Sequence, residues 1–262
     1  MLYLIQKNTF RTENFNALVD AMNKLEYEYQ IVHTRPRTSS LFIKDDNENN
    51  TYFQTEREDI FAFGANKMAD NADSYDWKPG SMMNREHDYS IYKDYYTDNL
   101  LNWDSDIVKF TDKLDFVGEK FIRPCEDSKI FTGQVFTLDR WNEFVKSVNH
   151  YESRSRIRRW TEIQVASVKT IYREVRCWII DGKVITSARY KGMDLGPHEY
   201  DAEKFAQEMV DTHSTIAEAF VMDVCLTSDG WKIVELNCIN CSGFYGADVS
   251  MILFELNEHF NK

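Results

Sequence analysis

Between residues 13 and 25 the apolar positions are Phe15, Leu18, Val19, Met22 and Leu25, a spacing that lines one face of an α-helix. Leu2 to Gln6 and Glu28 to His33 flank it as short strands, so the chain opens strand–helix–strand, half of a small α/β lobe. Residues 44–51 read as a polar loop, and Trp77-Lys78-Pro79-Gly80 as a turn. The aromatic, acidic stretch from His87 to Trp103 reads as a helix linking lobes. A second block carries strands over Val117 to Arg123, Ile130 to Phe136 and Thr161 to Ala166. Its helix, Asp139 to Val148, puts Trp141, Phe144, Val145 and Val148 on one side.

The third block is built of hairpins and flanking helices. Arg173 to Ile180 and Lys183 to Tyr190 are strands joined by Asp181-Gly182, a pair that readily adopts the positive φ angles of a type I′ turn. Asp201 to Val210 is a helix with Asp201 as its cap. Ala219 to Leu226 and Trp231 to Asn237 form a second hairpin around Thr227-Ser228-Asp229-Gly230. Gly246 to Phe260 closes the chain as a helix with Val249, Ile252, Leu253, Leu256 and Phe260 inward.

Chemistry is densest in the second hairpin. Side chains alternate across a strand, so Glu235 and Asn237 share a face. Asp223 sits in Val221-Met222-Asp223-Val224, where a core strand favours Val or Ile. A three-residue loop centred on Asp229 pairs Asp223 with Glu235 and puts all three polar residues on one face. A two-residue loop pairs Asp223 with Val234 and turns Glu235 away. Given the odd loop, two carboxylates and an amide oxygen are hard ligands suited to Mg²⁺ or Mn²⁺ shared with phosphate. The other reading is two acids on an exposed sheet face beside a turn asparagine. The apolar neighbours weigh against it, because an unpaired buried carboxylate is costly.

In the first hairpin a two-residue turn pairs Glu174 with Arg189 and Arg176 with Ser187, all on one face. Val175, Cys177, Ile179, Val184 and Ala188 then face a core. Two arginines on one sheet face can grip phosphate bidentately. A Glu174–Arg189 ion pair on a solvated face satisfies the same pattern. Arg123, at a strand end before Pro124, and Lys129, after a short loop, can bracket a polyphosphate or stand as solvated cations. The chain has neither a P-loop nor a dinucleotide glycine fingerprint, so a nucleotide would lie between sheets.

Composition narrows the class. Hydrophobic content of 43% with 14% aromatics indicates a packed globular protein. A net charge of -12 argues against nucleic-acid binding over the whole surface, and the run Arg154-Ser155-Arg156-Ile157-Arg158-Arg159 is most simply a solvated face. No apolar run approaches membrane length, and Met1 to Lys7 is too short and polar for a signal peptide. The five cysteines are odd in number and scattered, as expected of reduced thiols in the cytoplasm. Cys238 and Cys241 stand without a second pair and read as small core residues.

The ordered set Phe121-Ile122-Arg123-Pro124, Ser128 to Gly133, Glu174-Val175-Arg176, Asp223, Glu235-Leu236-Asn237 and Gly243 to Asp248 resembles the ATP-grasp superfamily of carboxylate–amine ligases. Within it the set is similar to the clade named for two arginines and one lysine. The resemblance implies an α/β (α+β) ATP-grasp fold, in which an N-terminal α/β lobe (1–103) precedes two α+β subdomains (104–166 and 167–262) that clamp ATP between antiparallel sheets. It implies that Asp223, Glu235 and Asn237 hold Mg²⁺ (or Mn²⁺) on the ATP phosphates. Arg123 stands where many such enzymes have lysine, and Lys129 lies in the phosphate loop, although that loop lacks glycine from Cys125 to Lys129. The strand from Glu162 to Val165 would meet adenine with its backbone, and Glu174 and Arg176 the ribose and phosphates. Arg176 and Arg189 would be the catalytic cations, Arg189 at the transferred phosphoryl group or acid substrate.

The activity so implied is activation of a carboxylate, from a small molecule or peptide, as an acylphosphate that an amine attacks, with release of ADP and phosphate. The competing reading is a non-catalytic ATP-binding module that uses closure as a switch. On the ligase reading, Glu235→Gln or Asp223→Asn abolishes turnover with the fold intact.

Overall fold

The computed structural model describes residues 1–7, 9–34, 40–44, 50–65, 68, 77, 87–126, 130–150, 157–191, 196–197, 199–213 and 216–261. The expected turn at Lys78-Pro79-Gly80, most of the 44–51 loop, Lys129 and Arg154 to Arg156 lie outside them.

Three sheets organise the described residues. The first holds β1 (Leu2–Gln6), β2 (Tyr29–Thr34), β3 (Leu41–Lys44), β4 (Asn50–Tyr52) and β5 (Ile60–Phe63) in the order β4-β3-β2-β1-β5. β1 runs parallel to both neighbours, and α1 (Thr12–Lys24) is the crossover between β1 and β2. The second sheet contains β6 (Asp106–Lys109), β7 (Glu119–Pro124), β8 (Gln134–Thr137) and β9 (Glu162–Ser167), antiparallel in the order β6-β9-β7-β8, with α3 (Leu138–His150) following β8. The third and longest, β12-β11-β10-β13-β14, is antiparallel throughout. It comprises β10 (Arg173–Ile180), β11 (Lys183–Lys191), β12 (Gly196–Pro197), β13 (Ala219–Thr227) and β14 (Gly230–Cys238). Around these lie α2 (Tyr89–Tyr96), α4 (Tyr200–Thr212) and α5 (Val249–Phe260).

Alternation along the third sheet divides its apolar residues between two cores. Val175, Cys177, Ile179, Phe220, Met222 and Leu236 pack with Ala202, Ala206 and Met209 of α4 and the tyrosines of α2. Trp178, Ile180, Ala188, Ala219 and Val221 face the other way. They pack on α5 and α1, which lie between this sheet and Tyr3, Ile5, Phe61 and Phe63 of the first. The helices do not cover the whole of that second face. Its other end carries Glu174, Arg176, Asp223, Glu235 and Asn237, so one sheet face passes from apolar to charged along its length.

Several expectations shift. The helix expected over His87 to Trp103 is only α2, followed by a 3₁₀ turn at Thr97–Asn99 where Thr97 takes φ 44°. The strand expected from Ile130 starts at Gln134. Asp201 does not cap α4. It lies within the first turn, and Glu199 occupies the cap position without a side-chain bond. Residues 246–248 precede α5 instead of opening it, and Asp248 caps it by accepting the Met251 N–H. Strands β3 to β6 are too short and irregular in pattern to be read from periodicity alone.

His87, 4% exposed, has no hydrogen-bond partner for either ring nitrogen among the described residues, and burial pushes its pKa down to about 4. The fold holds the neutral ring, so this stability is complete above pH 6.5 and is lost as pH falls through the folded value. His87→Leu is therefore expected to remove roughly 3 kcal/mol of the stability loss between pH 6.5 and 4. Urea unfolding of both proteins across that range checks it, and parallel pH profiles would refute it.

Candidate active site

The acids of the second hairpin come together by a route that loop counting does not anticipate. Thr227 pairs with Gly230, so the turn Ser228–Asp229 has two residues, the even loop that should separate Asp223 from Glu235. Asp223 nevertheless pairs with Glu235, because Val224 pairs with Ile233 and Val234 is left over as a bulge. In an unbroken strand Ile233 would share a face with Glu235. The extra residue lets Ile233 and Leu236 both enter the core on one side while Glu235 and Asn237 face the other. Gly230, at φ 93°, takes the turn residue that a side chain would strain.

Each acid already has a cation. Asp223, 1% exposed, is gripped by Arg176 through two parallel bonds, Nε to Oδ1 and Nη2 to Oδ2, both 2.8 Å. Glu235 is paired with Arg123 at 2.6 Å, and both side chains reach solvent, 24% and 18% exposed. The Asn237 amide donates to both acids, at 3.3 Å to Asp223 and 3.1 Å to Glu235. Burial raises the Asp223 carboxyl even against the pull of Arg176. Burial opposes ionisation of Glu235 as well, but Arg123 and Asn237 hold it below the ordinary carboxylate range.

Among the described residues no three His, Cys, Asp or Glu side chains form a metal cluster. The third donor here is an amide. A half-turn of the Asn237 side chain puts Oδ1 where Nδ2 stands and completes three hard oxygens, so the donor set fits Mg²⁺ or Mn²⁺.

The first hairpin departs further from simple pairing. Asp181 and Gly182 both have positive φ, as the type I′ turn requires. Bulges at Ile185 and Tyr190 then shift the register, so Arg176 lies opposite Ala188, Val175 opposite Arg189, and Glu174 opposite Lys191. In this register Glu174 does not lie opposite Arg189, nor Arg176 opposite Ser187, as the simple turn would have it. The first bulge carries Ser187 and Arg189 to the α4 side, where Ser187 bonds Glu203 and Arg189 pairs with Glu199. Tyr190, next along, falls on the charged face, where its hydroxyl donates to Glu174 at 2.9 Å, and the second bulge brings Lys191 to the same face, paired with the same carboxylate.

These charges border a cleft of about 570 Å³ between the second and third sheets. Arg123, Glu174, Tyr190, Lys191 and Glu235 line it from strands, and Gly133 from the approach to β8. A Cβ at Gly133 would lie 2.8 Å from both Arg123 Cβ and the Phe121 ring, so only glycine lets the chain pass there.

Ser167, Val168 and Lys169 form the wall where the sequence points to Glu162 and Val165. β9 is flanked by β6 and β7 from Glu162 to Val165, so its backbone groups there are used in the ladders. Beyond Val165 the β6 edge ends, and the Ser167 N–H and hydroxyl are taken by Asp104 at 3.2 and 2.5 Å, with Lys169 paired to the same carboxylate. The missed residues, Lys169, Tyr190 and Lys191, follow or form irregularities, which is why strict alternation passes over them.

A cleft of this size between two antiparallel sheets, with Glu235 on one wall, a second acid and an amide buried behind it and cations around it, is the arrangement of an ATP-grasp fold. The chain belongs to an ATP-grasp domain family, the third in the clade named for two arginines and one lysine, whose model matches residues 43–256. The sequence matches no curated protein. The fold is shared with D-cycloserine synthetase DcsG (TM-score 0.65, 10% identity, 99% of each chain covered). It is also shared with the ATP-grasp ligase PsnB bound to a minimal precursor, Mg and ADP (TM-score 0.58, 12% identity, 100% of this chain and 97% of that one). D-alanine–D-alanine ligase from Bacillus anthracis, complexed with ATP, gives a TM-score of 0.60 at 10% identity, with 100% and 97% covered.

Proposed function

We propose that the protein is an ATP- and Mg²⁺-dependent ligase that activates a carboxylate as an acylphosphate and passes the acyl group to an amine, releasing ADP and phosphate. The observation that carries this reading is the bulge at Val234, which puts Glu235 at the wall of the cleft with Asp223 and Asn237 buried directly behind it. Family membership and the ligases that share the fold support it.

Asp223, Glu235 and Asn237 would hold Mg²⁺, which when bound neutralises phosphate charge and orients the triphosphate. Arg123, at the cleft wall, favours the charged form of Glu235 and would be available to phosphate oxygens, while Arg176 offsets the burial of Asp223 from behind. Lys191 and Lys169 add cations at the cleft wall. The backbone at Val168 and Lys169 lies where an adenine edge would seek donors and acceptors, a role proposed here in place of Glu162 and Val165. Arg189, tied to Glu199 on the far face, has no part in phosphate transfer on this reading. No covalent nucleophile is required, because positioning and charge neutralisation carry phosphoryl transfer. The five cysteines, odd in number and scattered, accord with a reducing, cytoplasmic setting, and no helix among the described residues is long and apolar enough to cross a membrane.

Incubation of the protein with ATP, Mg²⁺ and pooled carboxylates and amines tests the proposal. ADP and phosphate are expected only when both pools are present. AMP and pyrophosphate would sink the mechanism, and nucleotide binding without turnover against broad pools would favour the switch.

A further inference from the structure

Tyr245 stands at φ 55°, a left-handed conformation that disfavours every residue but glycine and, to a lesser degree, asparagine. The first lobe holds the turn that carries it. Asn14, near the start of α1, accepts the Phe244 and Tyr245 N–H groups through one oxygen, both at 3.1 Å. A Cβ on Gly243 would press within 3.2 Å of the same Asn14 amide, so the loop and helix meet at close range.

The Tyr245 ring is 50% exposed and stacks on Tyr190, with ring centres 4.8 Å apart and planes 18° from parallel. The Arg176 guanidinium carbon lies 5.1 Å from the Tyr245 ring centre and 5.6 Å from that of Tyr190. Arg176 Nη1 donates to the Gly243 carbonyl at 3.3 Å, while Nε and Nη2 are given to Asp223. Asp223 therefore fixes the guanidinium along one edge, Gly243 holds its remaining nitrogen, and two rings lie beside it. A glycine at position 245 would make this turn without strain. A tyrosine is tolerated there because its ring completes the arginine's surroundings.

We infer that Tyr245, acting with Tyr190, is a positioning residue for Arg176. The strained loop and the ring stack hold the guanidinium against Asp223, behind the cleft wall that Tyr190 and Glu235 form, and so set the affinity of the site for Mg²⁺ with a nucleoside triphosphate. The inference rests on the Mg²⁺·ATP reading above. It adds that the first lobe, through Asn14, helps to build a site whose Arg123, Glu174, Arg176, Asp223 and Glu235 lie on the other two sheets.

The test uses the whole chain, Mg²⁺ and a non-hydrolysable imido analogue of ATP, with the dissociation constant from titration calorimetry and thermal unfolding measured in parallel. Tyr245→Gly relieves the backbone strain while removing the ring, so stability and positioning are separated. Binding is expected to weaken about tenfold, the size of a desolvated cation–π contact, with the unfolding midpoint at or above that of the wild type. Tyr245→Asn, which tolerates the same conformation, should do likewise and carries the comparison if the glycine variant loses its cooperative transition. Tyr245→Phe keeps the ring and should restore binding to within about twofold. Wild-type affinity in both the glycine and asparagine variants overturns the positioning role and leaves the Mg²⁺·ATP reading standing. Failure of the wild-type protein itself to bind the analogue overturns both.

Discussion

Glu235→Gln is expected to lower ADP release by about a thousandfold while changing the stability by no more than about 1 kcal/mol. The amide keeps the shape of the side chain but removes a charge that the phosphate-bound cation needs. Its present partner, Arg123, is partly exposed, so water can replace the lost carboxylate there. Turnover is measured with an acid and amine pair that the wild-type chain accepts, and stability by urea unfolding. Wild-type turnover in this variant would remove Glu235 from the metal set.

Asp223→Asn is expected to behave differently. From the sequence alone the two substitutions are equivalent, each costing activity and sparing the fold. The structure separates them. Asp223 is fully enclosed and, among the described residues, is the only carboxylate that takes the Nε and Nη2 edge of Arg176, which is itself buried. Removing one partner of such a pair leaves a buried charge without compensation, and a loss of about 3–5 kcal/mol is expected. That is a large fraction of the roughly 5–15 kcal/mol available to a domain. The raised pKa of Asp223 points the same way, since burial already disfavours the charge and Arg176 is what offsets it. Urea unfolding checks the figure. Adding Arg176→Met to Asp223→Asn should recover much of the stability and none of the turnover. An unchanged midpoint in the single variant would show that Arg176 finds another partner.

Much of this is legible in the chain. The Asp181-Gly182 turn, the helical faces of α1, α3 and α5 and the pairing of a helix with parallel strands at the start all follow from local pattern and turn chemistry. The acid, amide and arginine types that converge are also visible, because an acid inside Val221-Met222-Asp223-Val224 conflicts with its surroundings unless something satisfies it. Counting along the strands is what fails. Both hairpins carry bulges, at Ile185, Tyr190 and Val234, and each shifts every later residue to the opposite face. Strict alternation therefore misplaces Arg189, which lies behind the sheet, and passes over Tyr190 and Lys191. Asp223 and Glu235 meet despite a turn of the wrong parity.

The longer helices and hairpins and the residues too polar for the core can be read from the order of the amino acids, because these depend on neighbours a few residues apart, and the family from the order of short motifs along the chain. Which charges face one another across the cleft depends on the packed molecule. A bulge is set by how two strands and the layers above them pack, and one unpaired residue is enough to move a side chain from core to site. The partnership of Arg176 with Asp223, and the hold that Asn14 keeps on the Tyr245 turn from some 230 residues away, have no local signature at all.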